Sequence, residues 1–184
     1  MTVPWLVVDF EFVSDYVWNA FAIVLYNPDT RRVLKQLEGY CVRPQHQFDE
    51  DRIVFWTQHR EALTAINNQA RRLPSPDTQE RRLGAFMDAV RRDFGVFQVV
   101  ADNTTVDIGF LNGILRSQGR LDLLHIGGQY RIPTCVTTLR KFLGVPAVKA
   151  VMAHTPTDDI VGIIGTYHEV CRVATSTPER PRWR

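Results

Sequence analysis

The sequence predicts an α/β domain in which helices flank a mixed five-stranded β-sheet, with an antiparallel meander first and parallel strands after it. Three apolar, strand-like stretches precede any helical periodicity, which indicates the meander. Further apolar stretches then alternate with helical patterns, as in the crossovers that place strands in parallel. The 184 residues, 45% of them hydrophobic, are enough for one domain with its own core. We expect that domain over residues 1–174 and a flexible tail over 175–184.

Three strands are predicted for the meander, over 3–10, 20–26 and 33–42. The first is apolar on both faces and is therefore expected near the middle of the sheet. Asn27-Pro28-Asp29 is a strong turn signal, so the second and third strands are expected to pair as an antiparallel hairpin. The stretch 13–19, between the first two strands, is predicted to be a loop that exposes Tyr16 and Trp18.

Helical periodicity and end signals predict the rest of the chain. Helices are expected over 49–70 (in two pieces around Trp56), 78–94, 105–117, 134–143 and from 155 onwards, and strands over 96–101 and near 130–132. Gly95 is a typical helix stop, and Thr155 with Asp158 forms a capping box for the last helix. Gly109 and Gly113 lie four residues apart and are expected to let their helix approach the sheet closely.

Composition excludes several classes of protein. No apolar run is long enough for a membrane span, and the first residues lack the charged start and cleavage site of a signal peptide. The cysteines are odd in number and scattered (Cys41, Cys135, Cys171), which favours reduced thiols in a cytoplasmic protein. The net charge of +2 does not by itself indicate a nucleic-acid binder, and basic doublets such as Arg140-Lys141 are interpreted as solvent-exposed helix faces.

Acidic residues stand at three places where one site can use them. Asp9 and Glu11 lie two residues apart on the first strand, so the side-chain period of two puts them on one face. Asp107 follows the strand at 96–101, and Asp159 lies in the first turn of the last helix, five residues after His154. Each alone is also typical of an ordinary strand end, helix start or loop. Together, at one edge of an α/β sheet, they indicate a common site.

Four converging carboxylates raise each other's pKa and cannot all stay ionised without cations. Hard oxygen ligands favour Mg²⁺ or Mn²⁺ over zinc. Two such ions, roughly 3.5–4 Å apart, can stabilise both the attacking and the leaving oxygen of an in-line phosphoryl displacement. A histidine such as His154 titrates near neutral pH, which suits the base that deprotonates the attacking water. The other histidines are assigned no role: His46, His59, His125 and His168.

The three motifs, in this order, resemble those of the DEDDh branch of the 3′–5′ exonucleases. The first is Val8-Asp9-Phe10-Glu11, the second runs from Asn103 through Asp107 to Phe110-Leu111, and the third is His154-Thr155-Pro156-Thr157-Asp158-Asp159. In the branch that has Tyr in place of His, the gap to the final Asp is four residues. The gap of five therefore identifies the subclass.

This resemblance implies a ribonuclease H-like fold and release of nucleoside 5′-monophosphates from the 3′ end of single-stranded RNA or DNA. It also implies that the four acids (Asp9, Glu11, Asp107, Asp159) hold two metal ions, Mg²⁺ or Mn²⁺, and that His154 is the general base. The stretch from Phe55 to Ala62 is similar, more faintly, to a Trp-rich segment of compact phage and bacterial members, some of which are exoribonucleases.

Two departures from the family pattern concern the terminal nucleotide. Phe12 stands where many members, notably the DNA-proofreading ones, have Thr, and Asp102 stands where His is frequent. Phe12, together with Phe10 and Asn103, is therefore expected to contact the substrate and to influence its preference. Core packing would explain Phe12 about as well.

Two other functions are kept as alternatives. One is a non-catalytic nucleic-acid-binding domain of the same fold, which the retention of all four acids and the histidine disfavours. The other is a phosphohydrolase of small nucleotides. Tyr16 and Trp18 could stack on unpaired bases or contact a partner subunit in a homodimer. The choice between RNA and DNA does not follow from the sequence, because a single contact to the 2′-hydroxyl decides it.

Overall fold

Three long strands begin the chain and form the centre of the sheet. The computed structural model describes residues 3–15, 17–126, 129–130 and 132–176. Its strands are β1 (Trp5–Ser14), β2 (Val17–Asn27), β3 (Arg32–Tyr40), β4 (Gln98–Ala101), β5 (His125–Ile126), β6 (Gln129–Tyr130) and β7 (Thr134–Cys135). Its α-helices are α1 (Glu50–Gln58), α2 (Arg60–Ala70), α3 (Pro76–Phe94), α4 (Thr104–Ser117), α5 (Val136–Leu143) and α6 (Pro156–Ser176). None of the helices in these ranges is long and apolar enough to cross a membrane.

The main sheet has five strands in the order β3-β2-β1-β4-β7. β1 pairs antiparallel with β2, and β2 antiparallel with β3, so the predicted meander is present. β4 runs parallel to β1, and β7 runs parallel to β4, because helices separate these strands in the sequence. The predicted fold class, a mixed five-stranded sheet flanked by helices, is confirmed.

Side chains of β1 alternate between two apolar clusters on opposite faces of the sheet. Leu6, Val8, Phe10 and Phe12 belong to the cluster that α3 and α4 cover. Trp5 and Val7 belong to the smaller cluster under α6. Since Asp9 and Glu11 share the parity of Trp5 and Val7, both acids point to the α6 face, as the period of two predicts.

The predicted loop over 13–19 is wrong for most of its length. β1 continues to Ser14 and β2 begins at Val17, so only two residues separate them. Trp18 is 1% exposed rather than on the surface, because its ring packs against Phe21 and its indole N–H donates to Glu80 Oε1 at 2.8 Å. This burial excludes Trp18 from base stacking or a subunit contact. Tyr16 lies outside the described residues.

Helix α4 does not use its two glycines to approach the sheet. A Cβ at either Gly109 or Gly113 would meet nothing within 4 Å, so both face away from the protein. The buried face of α4 is formed instead by the large residues Ile108, Leu111 and Leu115. These residues lie on a different face of the helix from the two glycines. The prediction that the glycines let the helix approach the sheet closely is therefore wrong.

Two further boundaries differ from the prediction. The helical region after the meander is in two pieces, but the break falls at His59, whereas Trp56 lies within α1 and donates to the Phe12 carbonyl at 3.0 Å. A short strand is present at Tyr130, as predicted, but this strand, β6, pairs with β5 in a separate two-stranded sheet. The fifth strand of the main sheet is β7, which takes the two residues predicted to start α5.

The last helix is longer than predicted. α6 continues through Ser176, two residues into the stretch expected to be a tail. The remaining part of that prediction, 177–184, lies outside the described residues.

Candidate active site

Asp9 and Glu11 lie where β1 pairs with two small residues of β2. Asp9 is opposite Ala22, and Glu11 is opposite Ala20. Small partners leave the space beside each carboxylate free of cross-strand side chains. A register shift follows directly after Glu11, at the pair Glu11/Phe12, and such irregularities bend a strand and redirect its side chains.

Asp107 joins the acids of β1 from the first turn of α4. Its Oδ1 accepts a hydrogen bond from the Phe10 N–H at 3.1 Å, and its own N–H donates to the Asn103 carbonyl at 3.1 Å. The Asp107 carboxyl is therefore tied to the stretch of β1 between Asp9 and Glu11. The parallel pairing of β1 and β4 makes this possible, because it brings their carboxyl ends to one edge.

Asp159 reaches the same place from the first turn of α6. Its Oδ2 accepts a hydrogen bond from the His154 N–H at 2.9 Å. His154 has a φ of 66°, a left-handed conformation that is unfavourable for a residue with a Cβ. The neighbouring cap, in which Thr155 Oγ1 donates to Asp158 Oδ2 at 2.9 Å, and the His154 bond to Asp159 together stabilise this sharp entry into the helix.

The structure brings the predicted residues together. One ligand atom each from Glu11, His154 and Asp159 lie within 4.8 Å of one another. The Glu11 and Asp159 carboxyls are therefore close enough for the charge of Asp159 to raise the pKa of Glu11. His154 Nδ1 lies 3.8 Å from Glu11 Oε1. Asp9 Oδ2 is buried and has no hydrogen-bond partner among the described residues.

Burial is the largest cause that raises the pKa of every acid in the group, and repulsion between the acids adds to it for Asp9 and Glu11. Burial, followed by the charges of its acidic neighbours, raises the pKa of Asp9 well above its ordinary range, and burial with the charge of Asp159 does the same for Glu11. Burial raises the pKa of Asp107 to about 7, although three backbone N–H groups, that of Phe10 first, oppose the shift. Burial also raises the pKa of Asp159. For His154, burial and then the nearby His59 lower the pKa, which favours the neutral imidazole.

Three of these acids line a cleft of about 280 Å³ together with α6 and the chain around residues 147–150, whereas Asp107 is 5% exposed and is not part of the cleft wall. Asp9, Glu11, Asp159 and His154 are on its wall. Its volume is near the lower end of small-ligand sites, which run from about 300 to 1,000 Å³. The arrangement can hold cations among four carboxylates and can offer a neutral imidazole to a bound water.

The predicted substrate contacts lie in different surroundings. Phe10 is 5% exposed and packs on Phe12, Phe21 and Phe110, so it belongs to the core. Phe12 is equally buried, yet it lines a second and larger groove of about 670 Å³ on the other side of β1. Asn103 is exposed and precedes α4.

Sequence reasoning missed three residues that contact His154 or act on Glu11. The ring of His59 lies 4.1 Å from the ring of His154, and Phe55 lies within 4.7 Å of both rings. The charge of Arg52 acts on Glu11 and lowers its pKa against the larger effects that raise it. In the sequence only the faint likeness of the Phe55 to Ala62 segment indicates this region, because the fold alone brings Phe55 and His59 against His154.

No protein-family model matches the chain, and no curated protein matches it either. Solved structures do match. Cell-death related nuclease 4 (CRN-4) is 15% identical, with a TM-score of 0.53, over 92% of this chain and 64% of that one. The nuclease domain of 3′hExo, a DEDDh family member bound to rAMP, is 16% identical, with a TM-score of 0.54, over 96% and 94%. E. coli Exonuclease I in complex with a dT13 oligonucleotide is 13% identical, with a TM-score of 0.59, over 92% and 41%.

The chain thus spans less than two thirds of CRN-4 and about two fifths of Exonuclease I. At identities this low, the likeness concerns the path of the backbone. The mixed five-stranded sheet with its flanking helices is therefore the ribonuclease H-like fold of these exonuclease structures.

Proposed function

We propose that this protein is a metal-dependent 3′–5′ exonuclease that releases nucleoside 5′-monophosphates from single-stranded RNA or DNA. One observation carries the proposal: acids of β1 and α6 line a cleft that also contains His154, and the α4 acid Asp107 is hydrogen-bonded to the strand between Asp9 and Glu11. Carboxylates with pKa values raised by burial and by neighbouring charges cluster at functional sites. The resemblance of the motifs and the shared fold supply the reaction type.

The residues present fit Mg²⁺ or Mn²⁺. Asp9 Oδ2 is a buried oxygen with no partner among the described residues, and burial raises the pKa of Glu11 and of Asp159, a shift that a bound cation would oppose. Asp9, Glu11, Asp107 and Asp159 would hold two divalent ions. Such ions, when bound, supply electrostatic stabilisation of the charge that develops on the attacking and leaving oxygens.

Residues of the chain itself supply the acceptor for the water proton and keep that acceptor in position. His154 is 32% exposed in its side chain, so it can reach a water, and its lowered pKa keeps it ready to accept a proton. As the water oxygen bonds to phosphorus, the imidazole takes the water proton and the bond from phosphorus to the 3′ oxygen breaks. The His154 N–H to Asp159 bond fixes the base relative to the acids.

Comparison of solved neighbours supports a nucleic-acid strand as the substrate. Exonuclease I was solved with an oligonucleotide and the 3′hExo domain with rAMP, and both share this fold. The cleft of about 280 Å³ is small, which suits an enzyme that takes only the terminal nucleotide at its metal site.

The test is digestion of matched 5′-labelled RNA and DNA single strands with Mg²⁺ and with Mn²⁺. We expect a ladder that shortens from the 3′ end, and its rate on each strand reports the sugar preference. Asp159→Asn should lower the rate by at least about 10³-fold because it removes a metal ligand. Asp158→Asn is the matched control, since Asp158 is the adjacent acid and only caps the helix.

Two outcomes would contradict this proposal. If Asp159→Asn digests the labelled strand at the parental rate, the metal site is elsewhere. If the parental protein leaves both strands intact but hydrolyses a free nucleotide in the same buffer, the small-nucleotide phosphohydrolase is the correct function.

A further inference from the structure

Arg140 occupies an unexpected place for a member of a basic doublet. It lies in the last turn of α5 and lines the same cleft as Asp9, Glu11 and Asp159. Among the described residues, its guanidinium makes no hydrogen bond and no ion pair, although several carboxylates line that cleft. Lys141, the next residue, is exposed and is not part of the cleft wall. The interpretation of this doublet as a solvated helix face is therefore wrong for Arg140.

The first turn of α5, one turn before Arg140, is attached to the sheet edge. Thr137, three residues earlier and so on the same side of the helix, donates a hydrogen bond to Asp102 Oδ1. The Sγ of Cys135 donates to the Asp102 carbonyl at 3.2 Å. Asp102 is the residue that stands where related chains frequently have His. Its carboxylate here binds α5, which holds Arg140 beside the acids.

Charge balance indicates what the guanidinium does there. The four motif acids carry a formal charge of −4, two divalent ions would supply +4, and Asp102, which also lines the cleft, adds −1. A strand then brings one further negative charge with each phosphate, and the metal site leaves that charge uncompensated. Among the described residues that line the cleft, Arg140 is the single arginine or lysine. Guanidinium donors match phosphate oxygens in a bidentate geometry that an ammonium group does not reproduce.

We propose that Arg140 binds a backbone phosphate at the 3′ end of the substrate strand and holds that end in the cleft. The inference rests on the proposed exonuclease function and names a contact that the motif acids and His154 do not provide. Because its guanidinium is not engaged by the cleft acids, it is available to the strand without breaking an existing ion pair.

The experiment compares Arg140→Gln with Lys141→Gln, which removes the same charge from the adjacent residue. Steady-state kinetics on a labelled single strand should show a KM raised roughly 10- to 100-fold for Arg140→Gln, because one charge-assisted contact is lost. We expect kcat to stay close to the parental value. The slope of log KM against log salt should become shallower by about 0.7, as expected for one phosphate contact on a single strand. Arg140→Lys should recover part of the KM, and Lys141→Gln should match the parent.

A merely structural role for Arg140 would lower the thermal midpoint of the metal-free protein and leave the salt slope unchanged. That result, or equal KM values for Arg140→Gln and Lys141→Gln, would overturn the inference while leaving the exonuclease proposal intact. If the parental protein digests nothing, the exonuclease proposal fails by itself. In that case, anisotropy of the same labelled strand with Mn²⁺ compares the binding of the two variants, and equal binding overturns the role of Arg140.

Discussion

Two recesses lie on opposite sides of β1, and they differ in both size and chemistry. The acidic cleft, of about 280 Å³, is lined by the carboxylates of Asp9, Glu11 and Asp159. The aromatic groove, of about 670 Å³, begins at Phe12 and follows the outer face of α4 past Gly109. One strand therefore serves both recesses, because its successive side chains point to opposite faces.

Adjacent residues of one short motif thus contribute to two different sites. Glu11 points to a place where charges are fixed by backbone bonds and by one another, whereas Phe12 packs edge-on against Phe110 with ring centroids 5.1 Å apart. A cleft built of repelling acids suits cations and bond breaking. A groove with an aromatic floor and open space above a helix suits the bases of an unpaired strand, which stack without sequence preference.

The largest effect is expected for Asp107→Asn, which changes an acid of the proposed metal site and none of the residues that line the aromatic groove. The amide keeps the hydrogen bond from the Phe10 N–H, so the fold should be retained, but the charge that a cation needs is lost. We expect exonuclease turnover to fall by at least about 10³-fold. Mn²⁺ titration calorimetry measures the accompanying loss of metal binding. Asp122→Asn, a change at an acid on the protein surface that pairs with Arg116, is the control.

The Asp107 prediction also separates the two recesses. If Asp107→Asn loses Mn²⁺ binding but still binds a labelled strand, the groove holds substrate independently of the cations. If turnover is unchanged, Asp107 is not part of the metal site and the division proposed here is incorrect.

The next effect concerns the stability of the metal-free protein. The folded carboxyls keep their protons to higher pH than the unfolded ones, since burial raises the pKa of Asp107 from its ordinary value of 3.8 to about 7. Between these values the folded state binds more protons than the unfolded state, so the free energy of unfolding falls as pH rises. Thermal melts in EDTA over this window should show a falling midpoint.

Divalent ions should reverse that loss. At a free Mn²⁺ concentration about 100 times Kd, binding stabilises the folded state by roughly 2.7 kcal/mol. The rise should be larger at pH 7 than at pH 5, because the ligands are then ionised. A midpoint that does not respond to Mn²⁺ at either pH would contradict the assignment of the cleft as a metal site.

The same contrast explains how much could be predicted from the sequence. The shared face of Asp9 and Glu11 can be predicted because they lie two residues apart on a strand. The position of Asp159 in a first helical turn can be predicted from the helix start at Thr155. The order of the elements predicted the parallel pairing of β1 with β4, and so the position of Asp107. Local signals were sufficient because each motif stands at the end of a regular element.

The residues that escaped prediction depend on packing between distant elements. Trp18 was expected on the surface, yet a partner on α3, Glu80, and the core beneath it hold it inside. Arg140 carries the same local signal as every other basic doublet. His59 meets His154 only because α1 ends at residue 58 and the chain turns toward α6. None of these contacts can be inferred from a periodic pattern in the sequence.

A smaller effect is expected for His59→Gln, which alters the base without touching the acids. Burial and the charge of His59 both lower the pKa of His154, so removing that charge should raise it. The acidic limb of the kcat/KM profile would then move to higher pH, because more of the base is protonated. Measuring this profile for His59→Gln and for His46→Gln, an exposed histidine, isolates the effect. An unmoved acidic limb would show that His59 does not act on the base.

The smallest effect is expected in the aromatic groove. Gly109→Ala should stabilise the protein by about 0.5–1 kcal/mol, because alanine favours a helix and its Cβ would meet nothing within 4 Å. Gly109→Leu adds bulk to the groove at the same position, with a similar helix preference. Chemical denaturation compares the two variants with the parent.

The kinetic comparison of these two variants decides whether the groove belongs to the substrate path. We expect Gly109→Ala to keep the parental KM for a labelled single strand, and Gly109→Leu to raise KM a few-fold with kcat unchanged, since the leucine would occupy space that a base needs. If the groove receives nucleotides upstream of the scissile bond, Gly109→Leu should raise KM less for a dinucleotide than for a longer strand. Equal KM values for the two variants on both substrates would remove the groove from the substrate path and leave the acidic cleft as the whole site.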